Sequence, residues 1–428
     1  MSELALLGGN PIITETFKPY KSIGDKEKSA VMEVMDSGLI SGFYGSWNDK
    51  FWGGPKIQEF EAAWKKQFKV KHAISVNSNT SGLYAAMAAI GISPGDEVII
   101  SPYTMSATAM APLGYGAIPV FADIEPETFG LDPQAVRDAI SPRTKAILVT
   151  NIFGHSARLT ELKAIADEHD LYLIEDNAQA PLGTENGVYC GTIGHIGIFS
   201  LNYHKHIHTG EGGMCTTNDD DLAQRLAMVR NHAEAVVDAA GVDNLVNMFG
   251  HNFRMTELSA AIGLVQLEDI EHHVRRREAL SQSLSVAVAG ADGIIAPHVR
   301  ENCRHVYYVW AAQIDQDTLG ISRSTFSKAL SAEGVPNFEG YLAPLYMLPI
   351  FQKRIAMGRD GFPFNQSDVT YEAGMCPVVE DMKHNRFLGF EPCAYDLSEG
   401  EIKLIQDAFG KVLENIDDLK KYEYQEAS

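Results

Sequence analysis

From residue 72 onward, short apolar runs alternate with longer stretches whose apolar positions recur every three or four residues. The runs fall at 73–76, 97–100, 118–121, 146–149 and 172–174, and they read as strands. Between them, residues from 80 or 81 to about 90, then 106–115, 133–140 and 160–169, read as helices. Strands and helices alternating at this pitch predict a mostly parallel sheet with helices on both faces. Further short strands are expected at 196–200 and 213–217, then a helix at 221–230 and an unbroken one from 256 to about 284. Upstream, 26–36 and 57–68 carry helical spacing and flank a loop rich in Gly and aromatic residues, 38–54. That loop is expected to pack on an active-site mouth or a partner subunit, or to collapse locally on the surface. After about residue 290 the texture changes: 306–314 alternates like a strand, 324–333 is helical, and 398–413 is an amphipathic helix opening on a Ser/Glu pair. The chain is therefore read as a large α/β lobe, residues 1–289, and a smaller α+β lobe, residues 290–428. Residues 418–428 are polar enough to be expected to fray.

A length of 428 residues also favours two lobes over one simple core. The 35 basic against 56 acidic residues give a net charge of −21, which argues against a surface for nucleic-acid backbones. A helix terminus can still hold a phosphorylated small molecule locally. No stretch is long and apolar enough to span a bilayer, and residues 1–9 lack the features of a signal peptide, so a cytoplasmic protein is expected. Cys190, Cys215, Cys303, Cys376 and Cys393 are scattered and contain no Cys-x-x-Cys pair, as for reduced thiols.

Three stretches carry candidate chemistry. Lys205 lies among polar residues between an apolar run, 196–199, and the turn Thr209-Gly-Glu-Gly-Gly213. An isolated lysine is usually a solvated surface group, but one held at a strand end can lose hydration and form a Schiff base with a carbonyl. The run Val76-Asn-Ser-Asn-Thr80-Ser81 is a strand-to-helix junction where free N–H groups and hydroxyls can cradle a phosphate, although Thr80 alone would pass for a plain helix cap. The run Leu173-Ile-Glu-Asp176-Asn-Ala-Gln179 places a carboxylate just past a strand, where it can keep a heteroaromatic nitrogen protonated, with Gln179 as a neutral donor nearby. A phosphate cradle, a carboxylate and a Schiff-base lysine on successive strand ends are the set that pyridoxal 5′-phosphate requires.

With these motifs, and with Pro94-Gly-Asp-Glu-Val98, Phe121-Ala-Asp-Ile-Glu-Pro126 and Gly250-His-Asn-Phe-Arg254, the chain resembles the DegT/DnrJ/EryC1/StrS family of pyridoxal-phosphate-dependent aminotransferases from about residue 6 to 413. The resemblance implies the aspartate aminotransferase (type I) fold. It also implies that Lys205 forms the Schiff base, Asp176 pairs with the pyridinium nitrogen and Gln179 lies near the phenolic oxygen. Thr80, Ser81 and Ser200 are then phosphate contacts, and Asn252 reaches the cofactor phosphate of a neighbouring subunit, implying a homodimer with a shared active site. The implied activity is ping-pong transfer of an amino group from glutamate or glutamine to a keto-sugar, nucleotide-linked by preference, or to a keto-cyclitol. Another cyclic ketone, or a cofactor-binding regulatory role without turnover, are the alternatives. Relatives that dehydrate a deoxysugar carry His in place of the lysine; counting back from Gly210 puts Lys205 there, which favours aminotransfer.

The chain departs from the family pattern in three places. Met105 stands where an aromatic usually covers the pyridine ring, with Tyr103 as a possible substitute. Asn151-Ile-Phe-Gly154, followed by His155 and Arg158, replaces a usual His-x-Tyr-Gly and is expected to bear on substrate recognition. His204, His206 and His208 alternate around Lys205; as metal ligands they would need an extended strand and further ligands, so no metal is expected. Substrate choice is expected to rest on loops 38–54, 230–250 and 341–350.

Overall fold

The computed structural model describes residues 3–426. Seven strands form its central sheet: β1 (His72–Val76), β2 (Glu97–Ile100), β3 (Ile118–Phe121), β4 (Thr144–Thr150), β5 (Tyr172–Asp176), β6 (Ile196–Ser200) and β7 (Gly213–Thr217). Their spatial order is β1-β7-β6-β5-β4-β2-β3. All neighbours run parallel except β7, which is antiparallel to both β1 and β6. Strands buried on both faces read as continuous apolar runs, which is why these segments stood out. Successive residues serve opposite cores: Ile74, Val98, Leu148 and Ile174 enter one cluster, and Ala73, Ile99, Ile147 and Leu173 enter the other.

The helix Asn79–Ala89, here α1, crosses β6 and β7 closely because Gly82 has no side chain. A Cβ there would lie 2.6 Å from Ile198 Cγ2 and 3.0 Å from Cys215 Sγ. The upstream helices expected from spacing are present as Asp25–Ser37 and Pro55–Phe68. No helix among the described residues is long and apolar enough to cross a membrane.

The smaller sheet has the order Ile294–Ile295, Trp310–Ile314, Phe387–Phe390, Phe338–Glu339, all antiparallel. Helices Arg323–Ala332 and Glu399–Glu414 cover it, the latter opening on the expected Ser398/Glu401 capping box. Leu4, Ile13 and Phe17 pack into this third core as well, so the N-terminal segment lies against the C-terminal lobe.

Three elements differ from the sequence reading. The helix expected from 256 to 284 is two helices, Glu257–Glu268 and Ile270–Ala287, meeting at Asp269. The first packs on Asp25–Ser37 and Pro55–Phe68, the second on Glu399–Glu414, so each serves a different lobe. The alternating run 306–314 pairs in the sheet only from Trp310. Its first part instead bonds to the large lobe, with Val306 N donating to the Gly154 carbonyl at 2.9 Å and Tyr308 N to that of Phe153 at 2.8 Å. Gly154, at φ 100°, permits this approach, since a Cβ would sit 2.7 Å from Tyr307 N. Finally, 416–426 is helical rather than frayed: Leu419 is fully buried and Glu423 accepts hydrogen bonds from Ser322 and Thr325 at the start of Arg323–Ala332. Residues 427 and 428 lie outside the described part.

Candidate active site

The carboxyl ends of β4, β5 and β6 and the start of α1 converge on a cleft of about 230 Å³, the usual place for chemistry in an open parallel sheet. Asp176, the last residue of β5, is 4% exposed at its floor. Its Oδ2 accepts from Thr108 Oγ1 at 3.0 Å, and Oδ1 accepts from Ala178 N at 3.2 Å and Asn79 Nδ2 at 3.3 Å. Burial raises its pKa, opposed by those donors and by the charge of Lys205. The neighbouring Glu175 points the other way and is held by the amides of Gly191, Ile193 and Gly194 and by Asn151 Nδ2, which fixes the end of the strand.

Lys205 follows β6 in an irregular turn, and its Nζ lies 4.1 Å from the centroid of the Tyr308 ring. Burial lowers its pKa to about 8 against the raising effect of Asp176. The amine is therefore available near neutrality, as a Schiff-base lysine requires. The uncharged amine is the reactive form, so uptake of an aldehyde cofactor should accelerate roughly tenfold per pH unit below about 8 and level off above it. Stopped-flow absorbance against pH checks this; a flat profile through that window contradicts it.

The helix cap differs from expectation. Ser78, not Thr80, caps α1, its Oγ accepting from Ser81 N at 3.0 Å. The Ser81 hydroxyl is buried, bonded to Asn77 Oδ1 and to Ser78 Oγ, and does not line the cleft. Thr80 is exposed in the cleft, and its hydroxyl has no protein partner among the described residues. The first amides of α1 have no intrahelical acceptor, so they and Thr80 form an open anion cradle. Gly213 passes so close that a Cβ would stand 2.7 Å from the Ser78 carbonyl carbon. Ser200 also lines the cleft, its Oγ accepting from Asn202 N at 3.3 Å.

Gln179 is buried beside Asp176; its Oε1 accepts from Phe153 N at 2.7 Å and its Nε2 donates to Tyr341 Oη at 3.1 Å. Asn151-Ile-Phe-Gly154 thus supports Gln179 and Glu175 rather than facing the cleft, and His155 and Arg158 bond elsewhere. Met105 lines the cleft and is 57% exposed, placing its thioether where a ring can be covered. Tyr103 is fully buried, with its hydroxyl accepting from Tyr341 N at 3.0 Å, and is no substitute. Asn252 is exposed and is not among the residues lining this chain's cleft, and its Oδ1 accepts from Arg254 Nε at 2.8 Å.

The histidines do not share a face, because the segment is not extended. His204 lines the cleft, His206 is buried and bonded to the Val306 carbonyl, and His208 Nδ1 accepts from Gly210 N. Sequence reading missed Tyr308, Asn79 and Thr108. Asn79 was visible inside the cradle motif, whereas Tyr308 is delivered by the misread run at 306–309.

A buried carboxylate without a paired cation, a lysine amine poised near neutrality and an open anion cradle fit pyridoxal phosphate at its ring nitrogen, aldehyde and phosphate. Fold and site together define an enzyme of the pyridoxal-phosphate-dependent type I class. The chain belongs to the DegT/DnrJ/EryC1/StrS aminotransferase family, which it matches over residues 23–387, and it is a pyridoxal-phosphate-dependent aminotransferase. It is 36% identical over 328 residues to the GDP-perosamine synthase of Caulobacter vibrioides, covering 76% of this chain and 83% of that one. It is 31% identical over 432 residues to the L-glutamine:2-deoxy-scyllo-inosose aminotransferase of Streptomyces lividus, covering 97% and 99%. Among solved structures, an aminotransferase from Psychrobacter cryohalolentis superposes with a TM-score of 0.80 at 28% identity, covering 94% of this chain and 100% of that one.

Proposed function

We propose that this enzyme transfers an amino group from glutamate or glutamine to a polyhydroxylated cyclic ketone, a nucleotide-linked keto-sugar or a keto-cyclitol. The observation that carries this reading is a set of polar side chains lining the same cleft as Asp176. Asn202 donates through Nδ2 to Glu211 at 2.9 Å, yet its buried Oδ1 has no partner among the described residues. With His204 and Tyr341 nearby, that set offers acceptors and donors for ring hydroxyls. The two relatives above, named for GDP-perosamine and for an inosose, support the same substrate class.

In this reading Lys205 anchors the cofactor aldehyde and, once displaced, moves a proton from the donor's Cα and later returns one to the acceptor carbon. Asp176 would hold the ring nitrogen protonated, and the cofactor would there supply an electron sink for the reaction. Gln179 donates near the phenolic oxygen, Met105 covers the ring, and Thr80, Ser200 and the first amides of α1 hold the phosphate. Ser81 acts from behind, by fixing Ser78 and Asn77. Asn252 serves the cleft of a second copy. The exposed Leu39, Ile40, Tyr44, Trp52 and Phe249 support a homodimer that covers them. All five cysteines are unpaired, in keeping with a reducing cytoplasm.

The test is the pyridoxamine-phosphate form of the protein offered nucleotide-linked 3-keto and 4-keto sugars, inososes and simple acyclic 2-oxo acids. One of the cyclic ketones should restore the aldehyde-form absorbance and yield an aminated product by mass. Restoration by acyclic acids alone overturns the substrate class.

A further inference from the structure

Away from the catalytic cleft, one buried cation has no counter-charge. Arg277, on the helix that connects the lobes, is 2% exposed and forms no ion pair among the described residues. It donates through Nε to Cys393 Sγ at 3.1 Å and through Nη1 to the His273 carbonyl, and Nη2 has no acceptor among the described residues. A guanidinium stripped of water is normally paired, because the lost hydration must be replaced.

Beside it opens a cavity of about 180 Å³ between three parts of the fold. Tyr20 comes from the N-terminal segment, Arg276 and Leu280 from the connecting helix, and Leu397 and Ile402 from the C-terminal lobe. The Arg276 and Arg277 guanidinium carbons lie 4.9 and 4.7 Å from the centroid of the Tyr20 ring, which is fixed by a hydrogen bond to His273. Arg276 is paired with Asp396, and no carboxylate among the described residues lines the cavity, so the pocket keeps an unbalanced positive charge in a chain of net charge −21.

We propose that this cavity binds a small organic carboxylate, its charged end on the Arg277 guanidinium and its apolar part against Leu280, Leu397 and Ile402. A planar guanidinium fork suits a carboxylate, and the apolar walls favour an acid with a hydrocarbon body over inorganic phosphate. A dry cavity of about 150 Å³ is known to accept benzene, so a benzoate-sized acid fits.

Calorimetric titration of the cofactor-loaded protein with benzoate, benzyl alcohol and inorganic phosphate tests the assignment. Benzoate should bind saturably at one site per chain, and the other two at least roughly tenfold more weakly. Arg277→Gln should weaken benzoate by about the same factor. Ile402→Trp, which fills the cavity and leaves both arginines in the chain, should abolish binding while the melting temperature stays near that of the parent. No saturable benzoate binding, equal affinity for benzyl alcohol or phosphate, or binding that survives Ile402→Trp overturns the proposal. Those comparisons stand even if Arg277→Gln does not fold.

Discussion

Replacing Lys205 with alanine should reduce kcat/KM for transamination by on the order of 10⁴-fold or more, because one side chain both anchors the cofactor and moves the proton. No neighbour can substitute. His206 is buried and committed to the Val306 carbonyl, and burial lowers the pKa of His204 to about 4, leaving a weak base beside the cleft. The Tyr308 ring under Nζ carries no amine. The fold should survive: a lysine whose pKa is lower folded than unfolded costs stability while protonated, at pH values below about 8, so its removal lifts a penalty. The variant should melt no lower than the parent in the cofactor-free state. It should also lose the aldehyde-form absorbance and the borohydride-fixed label on the peptide around residue 205, and small exogenous amines should restore part of the rate. Activity within tenfold of the parent, or a label on another lysine, would remove Lys205 from the centre of the site.

Much of this was legible from local pattern. The strands of a parallel sheet buried on both faces are short apolar runs, and Asp176 and Ser200 lie at the ends of two of them. What escaped depends on contacts distant in sequence. Tyr308 lies in a run that alternates like a strand, but the amides of residues 306 and 308 are taken by carbonyls at 153–154, which lifts the run off the sheet and carries its ring to Lys205. Asp269 breaks a helix whose apolar periodicity continues on both sides, because the two halves pack on different lobes. The capping residue was misplaced by two positions since Ser78, Thr80 and Ser81 are all good caps, and only the bond from Ser81 N selects Ser78. By sequence Met105 stands at the ring-covering position with Tyr103 as a possible substitute; Tyr103 is consumed by an aromatic cluster with Phe129, Phe153 and Phe387.

Asp176→Asn should separate activity from stability in opposite directions. The amide is nearly isosteric and can keep the local bonds: its oxygen accepts from Ala178 N and Asn79 Nδ2, and its NH₂ donates to Thr108 Oγ1, which can reverse its role. What it cannot do is hold a ring nitrogen in its protonated form, so turnover should fall roughly 10²- to 10⁴-fold with the cofactor still bound. The stability effect follows from the raised pKa of Asp176, whose first cause is burial. A carboxyl that holds its proton more tightly folded than unfolded favours the fold below its ordinary value of 3.8 and costs stability as the pH rises past it. At neutral pH the cofactor-free parent therefore bears the cost of burying that carboxyl, which the asparagine variant does not, and the variant should melt at a higher temperature. Pyridoxal phosphate should reverse the order, because its ring nitrogen supplies the parent's carboxylate with the cation it lacks and gives the amide only a neutral partner. Differential scanning of both proteins, free and loaded, measures the crossing directly. A cofactor-free variant that melts below the parent, or a loaded one that gains as much from the cofactor as the parent does, would show that Asp176 is held for the fold and not for the ring.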